Sequence, residues 1–372
     1  MPTPRKGESY DDMRARENER RREWRATKRT INHRTGDETT TYTPLREPFS
    51  PLDGASLARR STLVDAEGRV IQSWQIEKPD DKARWETLQA ALDEFKKDLP
   101  REPAIPLECP IVNTNQLVGY PIGDHHMGML AWWREVGASY DLDIGEALLT
   151  KAIDYLVDRS PPAQHALIVG LGDFLHYDSM AAVTPKHGNI LDQDSRAGKM
   201  VRAGVRVMRR VIERAAMKHE FVRVIFEPGN HDPFSALWMK ELLATKYEDN
   251  TRITIDTDPG AFHHYRFGKN LIATHHGDTV KKLADLPGIM AADWPEDWAA
   301  TTHRVWWTGH THAQEWMSFN GCNVEVFPIL PPPDAYAHML GYHKVERKMQ
   351  AIVFNIEDGE VERYSFRPEM VK

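Results

Sequence analysis

At 372 residues the chain is long enough for one large catalytic domain with an appendage, and for a core of ordinary size. A net charge of -7 at pH 7 does not mark the whole molecule as a nucleic-acid binder, and two cysteines without CxxC spacing exclude a disulfide framework. A reducing compartment follows, the cytoplasm by default, and no stretch approaches the roughly 18 apolar residues of a membrane span.

Residues 1–60 are polar and rich in Arg, Thr and Pro, and are expected to be disordered or loosely helical. Residues 1–34 hold eleven Lys/Arg against six Asp/Glu, which suits either a solubilising tail or a basic arm that docks on phosphates. An adaptor follows over residues 61–110. "STLVDAEGRVIQSWQI" alternates around Asp65-Ala66-Glu67-Gly68 and predicts a hairpin. "DDKARWETLQAALDEFKKDLP" places Trp85, Leu88, Leu92, Phe95 and Leu99 on one helical stripe. Packing on the next domain is favoured for it over the seam of a homodimer. Pro100, Pro103, Pro106 and Pro110 mark a linker, so the large domain is expected over residues 111–372.

In that domain five short apolar runs each stop in a cluster of glycine with Asp, His or Asn: "LVGYPIGD", "ALIVGLGD", "VRVIFEPGNHD", "LIATHHGD" and "RVWWTGHTH". Between them run amphipathic helices. One is predicted from Ile144 to Arg159 behind an Asp143 cap, with Ala147, Leu148, Ile153 and Leu156 inward; another carries Val201, Val205, Met208, Val211, Ile212 and Ala215. Strands alternating with helices imply a layered α/β domain. "NVEVF", "QAIVFNI" and "VERYSF" read as further strands, the last two a hairpin across Asp358-Gly359, which predicts a second sheet on the first.

The corners hold the chemistry, because open α/β sheets bind ligands beyond the carboxyl ends of their strands. Asp124 and His126 stand two apart, as do His310 and His312, while Asp173, Asn230 and His276 complete a set of oxygen and imidazole donors without thiolate. Such a set suits borderline to hard divalent cations such as Mn, Fe or Zn, and it is too large for one ion. A carboxylate that can bridge two donor groups is the pattern of a two-metal site. His125 and His275, next in the strand order, are expected to point away into packing.

This ordered set of five motifs resembles the calcineurin-like metallophosphoesterases over residues 116–366. The resemblance implies a β-sandwich of two mixed sheets flanked by helices, here with a small N-terminal appendage. It implies one metal on Asp124, His126, Asp173 and His312, and a second on Asp173, Asn230, His276 and His310, with Asp173 bridging. Mn is favoured, with Fe, Zn, Ni or Co as alternatives. A metal-bridging hydroxide would attack phosphorus in line. His231 would protonate the leaving oxygen, Gly229 would serve a tight turn, and Asp232 would orient His231 or cap the next helix. "GDFLHYD" is similar to the repair-exonuclease branch, in which the residue matching His176 faces substrate, and "YPIGDHHMG" with "AADWPEDW" resembles phage-encoded or prophage-encoded members.

A phosphodiester in nucleic acid or a nucleotide is the expected substrate, exonuclease-like, with no membrane partner. The basic N-terminal segment, His176, and Lys186, His187 and Asn189 of the following loop lean that way. Trp294, Trp298, Trp306 and Trp307 are candidates to stack bases, against a core role for Trp306 and Trp307. The acidic net charge and the short span from Asn230 to His276 favour a compact pocket over a long DNA groove. The alternatives are a phosphomonoesterase, a cyclic-nucleotide phosphodiesterase, and a non-catalytic metal-binding scaffold in a DNA-processing complex.

Overall fold

A computed structural model describes residues 105–370, apart from 109, 111–112, 187, 340 and 342–345, and the backbone of four strands between residues 26 and 79. The chain divides into two compact units, Met1–Asp98 and Leu99–Lys372. In the first, strand β1 (Ala26–Ile31) pairs antiparallel with β2 (Glu38–Thr43), and β3 (Ala55–Val64) with β4 (Val70–Pro79). The second pair spans the turn predicted at Asp65–Gly68. The first lies where composition predicted a loose tail; it is rich in β-branched Thr, which fits a pleated strand. The predicted stripe from Trp85 to Leu99, and with it the homodimer seam, lies outside the described residues, as does His187.

The second unit is built on two mixed sheets. In the six-stranded sheet, β5 (Asn113–Ile122), β6 (Ala163–Gly170), β7 (Phe221–Phe226) and β8 (Ile253–Ile255) run parallel. Its other flank is formed by the hairpin predicted across Asp358-Gly359. The five-stranded sheet comprises β9 (His263–Phe267), β10 (Asn270–His275), β11 (His303–Thr308), β12 (Glu315–Phe319) and β13 (Cys322–Val326). Strand β10 is parallel to β11, and β11 to β13. The hairpin strands are β14 (Met349–Asn355) and β15 (Gly359–Phe366), and the sheet order is β15-β14-β5-β6-β7-β8. Two mixed sheets flanked by helices are the expected architecture.

Alternation along each strand separates the layers. Ile272, Val305 and Trp307 join Leu117, Val169, Ile225 and Ile352 in the core between the sheets. Their chain neighbours Leu271, Ala273 and Trp306 turn to the outer face of the second sheet, against Leu286 and Met290. The side chain of Trp307 occupies the space that a Cβ on Gly119 would fill, since that atom would lie 2.4 Å from the indole. Trp307→Ala is therefore expected to lower the unfolding free energy by about 3–5 kcal/mol in urea titrations. An unchanged midpoint would mean that this layer does not hold the sheets together.

Helices α1 (Leu142–Arg159), α2 (Ala197–Lys218) and α3 (Pro233–Lys246) cover the outer face of the six-stranded sheet. Two predicted details shift. The cap of α1 is Asp141, whose Oδ1 accepts the Ile144 N–H at 2.8 Å, and Asp143 is instead an acid in the first turn. The helix thus begins earlier and its buried stripe runs through Leu142, Leu149, Ala152 and Leu156, leaving Ala147 exposed. In α2 the stripe is rotated towards Met200 and Val207, leaving Val201 exposed. Among the described residues no helix is long and apolar enough to cross a membrane.

Candidate metal centre

All seven candidate ligands lie just beyond the carboxyl ends of β5, β6, β7, β10 and β11. Backbone bonds extend the sheet order into these corners. Leu171 N donates to Ile122 O, Glu227 N to Gly170 O, His126 N to Asp173 O, and Gly309 N to His276 O, at 2.7–2.9 Å. Between the sheets, the His310 N–H donates to the Asp124 carboxylate at 3.0 Å and His276 Nε2 lies 3.3 Å from Asp173 Oδ2, so the corners of both sheets meet at one place.

Three groups of donors form there, and the two that contain a carboxylate match the expected ligands. Asp124, His126 and His312 make the first: His312 Nε2 lies 3.0 Å from Asp124 Oδ2 and 3.2 Å from His126 Nε2. The second is Asp173, His276 and His310, with His276 Nε2 at 3.3 Å from Asp173 Oδ2 and 3.1 Å from Asn230 Oδ1. Within each group one ligand atom per residue lies within 4.8 Å of the others. Imidazole nitrogens crowded against buried carboxylates are suited to divalent cations that take N and O ligands, so the residues present fit the expected metals.

The backbone is strained at the same positions. Among the described residues His126, Asp173, His310 and His312 are the non-glycine residues with positive φ, between 45° and 71°. Asp and His tolerate this region better than most, and such conformations cluster at functional sites. Close approach explains the glycines. A Cβ on Gly229 would lie 2.1 Å from Asp173 N and Oδ1, and one on Gly309 would lie 2.3 Å from Asp124 Oδ1. Gly229 does not adopt positive φ, so its predicted role in a tight turn gives way to this contact with the Asp173 corner.

Charges within the centre reinforce one another. Burial pushes the Asp173 carboxyl up, but the histidines His276, His231 and His126 outweigh it and hold the carboxyl well below the usual range. Burial lowers His276, and the carboxylates of Asp173 and Asp124 more than offset this, taking it to about 10. The His276 Nδ1–H donates to Leu171 O at 2.8 Å, which turns Nε2 towards the donor group.

His231 sits beside the first group, with its ring centroid 4.9 Å from that of His126. Its backbone N–H donates to Asp173 Oδ1 at 2.7 Å and its Nδ1–H to His176 O at 2.9 Å. His176 is buried beside the same two histidines: it is stacked on His231, and its Nδ1 lies 3.3 Å from His126 Nδ1. With His126 and His231 it forms a further group of close imidazole nitrogens.

Neither expected role of Asp232 is found. Its carboxylate accepts Gly229 N–H at 3.2 Å and Leu175 N–H at 2.9 Å, tying the β7 corner to the β6 corner, and it neither touches the His231 ring nor caps α3. Burial and the charge of Asp173 push it up to about 8. Asp232 occupies the N-cap position of α3 without a side-chain capping bond, and it is Asp178 whose carboxylate accepts the Phe234 and Ser235 N–H groups at 2.7 Å. Sequence reading missed it because this acceptor comes from more than fifty residues away.

The predicted base-stacking cluster is structural. Trp306 and Trp307 are fully buried, Trp294 stacks on His264 at 4.3 Å, and Trp298 is covered by Arg304. As expected, His125 and His275 point into packing: His125 Nε2 bonds Gly145 O of α1 and its ring stacks on Phe174, while His275 stacks on Phe262.

No protein-family model matches the chain, and no curated protein does. Among solved structures it is similar to a dimetal phosphatase from Danio rerio (9% identity, TM-score 0.35, covering 68% of this chain and 98% of that one). It is also similar to Vps29 complexed with zinc from Entamoeba histolytica (12%, 0.29, 67% and 98%) and to a 5'-nucleotidase from Candida albicans (9%, 0.30, 71% and 54%). None is similar enough to say more of this chain than its own geometry does.

Proposed function

We propose that the chain is a phosphoesterase working with two divalent cations, one on Asp124, His126 and His312, the other on Asn230, His276 and His310, with Asp173 shared between them. The observation that carries this reading is the meeting of the two donor groups beside His231. Cations bound there supply neutralisation of phosphate charge and acidify water. The chain's own residues do the rest. With Nδ1–H held by His176 O, His231 in its imidazolium form presents Nε2–H to a substrate oxygen and donates that Nε2 proton to the leaving group. Asp173 Oδ1 holds the backbone of that acid in register with the ligands.

We favour a phosphodiester in nucleic acid or a nucleotide as substrate, cut in an exonuclease-like manner, and manganese as cation. Two observations support a short substrate. Phe234, three residues after His231, and Met180, two after the Asp178 that accepts the Phe234 N–H, are exposed apolar side chains on which a base can rest. Arg206, Arg210 and Arg214 of α2 are paired with Glu146, Asp154 and Asp158 of α1, so this basic face is not an open phosphate track.

Metal-stripped protein reloaded with Mn should be offered bis-p-nitrophenyl phosphate, p-nitrophenyl phosphate, cyclic AMP, and single- and double-stranded DNA and RNA. Cleavage of DNA or RNA that Asp173→Asn lacks is the expected result. Turnover of a monoester or cyclic nucleotide alone would overturn the substrate and keep the two-cation reading. Metal binding without any turnover would favour the scaffold.

A further inference from the structure

An ion pair is buried between the sheets, directly behind this centre. Glu227 follows β7 and faces the second sheet, where Thr274 of β10 and His263 of β9 are cross-strand partners. Nδ1 of His263 lies 2.9 Å from both carboxylate oxygens of Glu227, and the Thr274 hydroxyl donates to Oε1. On the other side of the ring, Nε2 lies 3.0 Å from Asp258 O, which can only accept. A proton is therefore on Nε2, and an Nδ1 shared evenly between two carboxylate oxygens is that of a donor. His263 is thus an imidazolium and Glu227 a carboxylate. Lys240 Nζ donates to the same Asp258 carbonyl at 2.7 Å and fixes the loop that receives His263.

A buried ion pair is weak evidence of stability, because desolvation offsets its attraction, so its position asks for another account. Glu227 stands three residues before Asn230, and its N–H is bonded to Gly170 O, three before Asp173. Thr274 stands two before His276 on the same face of β10. The second donor group spans this seam, since Asn230 and Asp173 come from one sheet and His276 and His310 from the other.

We propose that Glu227 and His263, with Thr274, are positioning residues that set the spacing of the two sheets at the second cation site. This rests on the two-cation reading. The first group also draws on both sheets, but its ligands follow β5 and β11, whereas Asn230 and His276 of the second follow β7 and β10, the strands that the Glu227–Thr274 contact joins.

The test is calorimetric titration of Mn into metal-free wild type, Glu227→Gln, Thr274→Val and the double variant Glu227→Gln/His263→Gln. Wild type is expected to show two binding events, of which His310→Ala removes the second. In the three positioning variants that second event should weaken about 10-fold or more, the range for partners that orient metal ligands, while the first keeps its affinity. Thr274→Val loses one hydrogen bond without leaving a charge uncompensated, and so keeps the test open should Glu227→Gln fail to fold. Equal weakening of both events, or no change in either, would overturn the inference. A wild type that binds no cation would instead overturn the two-cation reading on which it rests.

Discussion

Replacing Asp173 by Asn is expected to reduce phosphoester hydrolysis by about 10³-fold or more and to leave the protein with fewer than two bound cations. Asn tolerates the left-handed backbone at this position, where φ is 47°, so the corner survives. Gly229 still clears the side chain, and an amide oxygen can still accept the His231 N–H. What is lost is the charge shared by both donor groups. Bound cations supply several kcal/mol of charge stabilisation, and each ~1.4 kcal/mol is a factor of ten in rate. Turnover at saturating Mn, read together with metal content, checks this. A rate within tenfold of wild type would remove Asp173 from the bridging role.

The second large effect is expected at His231. His231→Asn should slow cleavage of a dinucleotide by roughly 10²–10⁴-fold, the usual contribution of a positioned acid, while both cations still bind. The same variant should lose much less on bis-p-nitrophenyl phosphate, because p-nitrophenolate departs without a proton. That contrast separates proton donation from a general disturbance of the centre. Equal losses on both substrates would show that His231 does not protonate the leaving oxygen.

The five corners were legible because each apolar run stops at glycine beside an oxygen or imidazole donor. Strand alternation separated His276 from His275 and His126 from His125 in the same way. Local pattern could not supply what sheet packing supplies. His176 stands three residues beyond Asp173, and the bridge between Met127 and Leu175, which no local pattern announces, brings it beside His126. Trp306 and Trp307 looked alike in sequence, and the pleat sends them into different layers. Asp232 seemed placed to cap α3, but buried backbone N–H groups on two corners claim its carboxylate, and Asp178 arrives from another corner to accept the Ser235 N–H. The Glu227–His263 pair left no local trace, since its partners belong to different sheets.

The order of strands has a consequence for synthesis. By His312 the ribosome has made every candidate ligand, but β5, which bears the Asp124 corner, still lacks its neighbour β14. Until that strand is made, the sandwich interior lacks Ile352 and Phe354, and β5 exposes an unpaired edge. At about 5–20 residues per second the interval to the end of β15 lasts several seconds. The nascent domain thus carries its whole set of candidate metal ligands on an unclosed sheet, and closure waits for the β14–β15 hairpin that follows them.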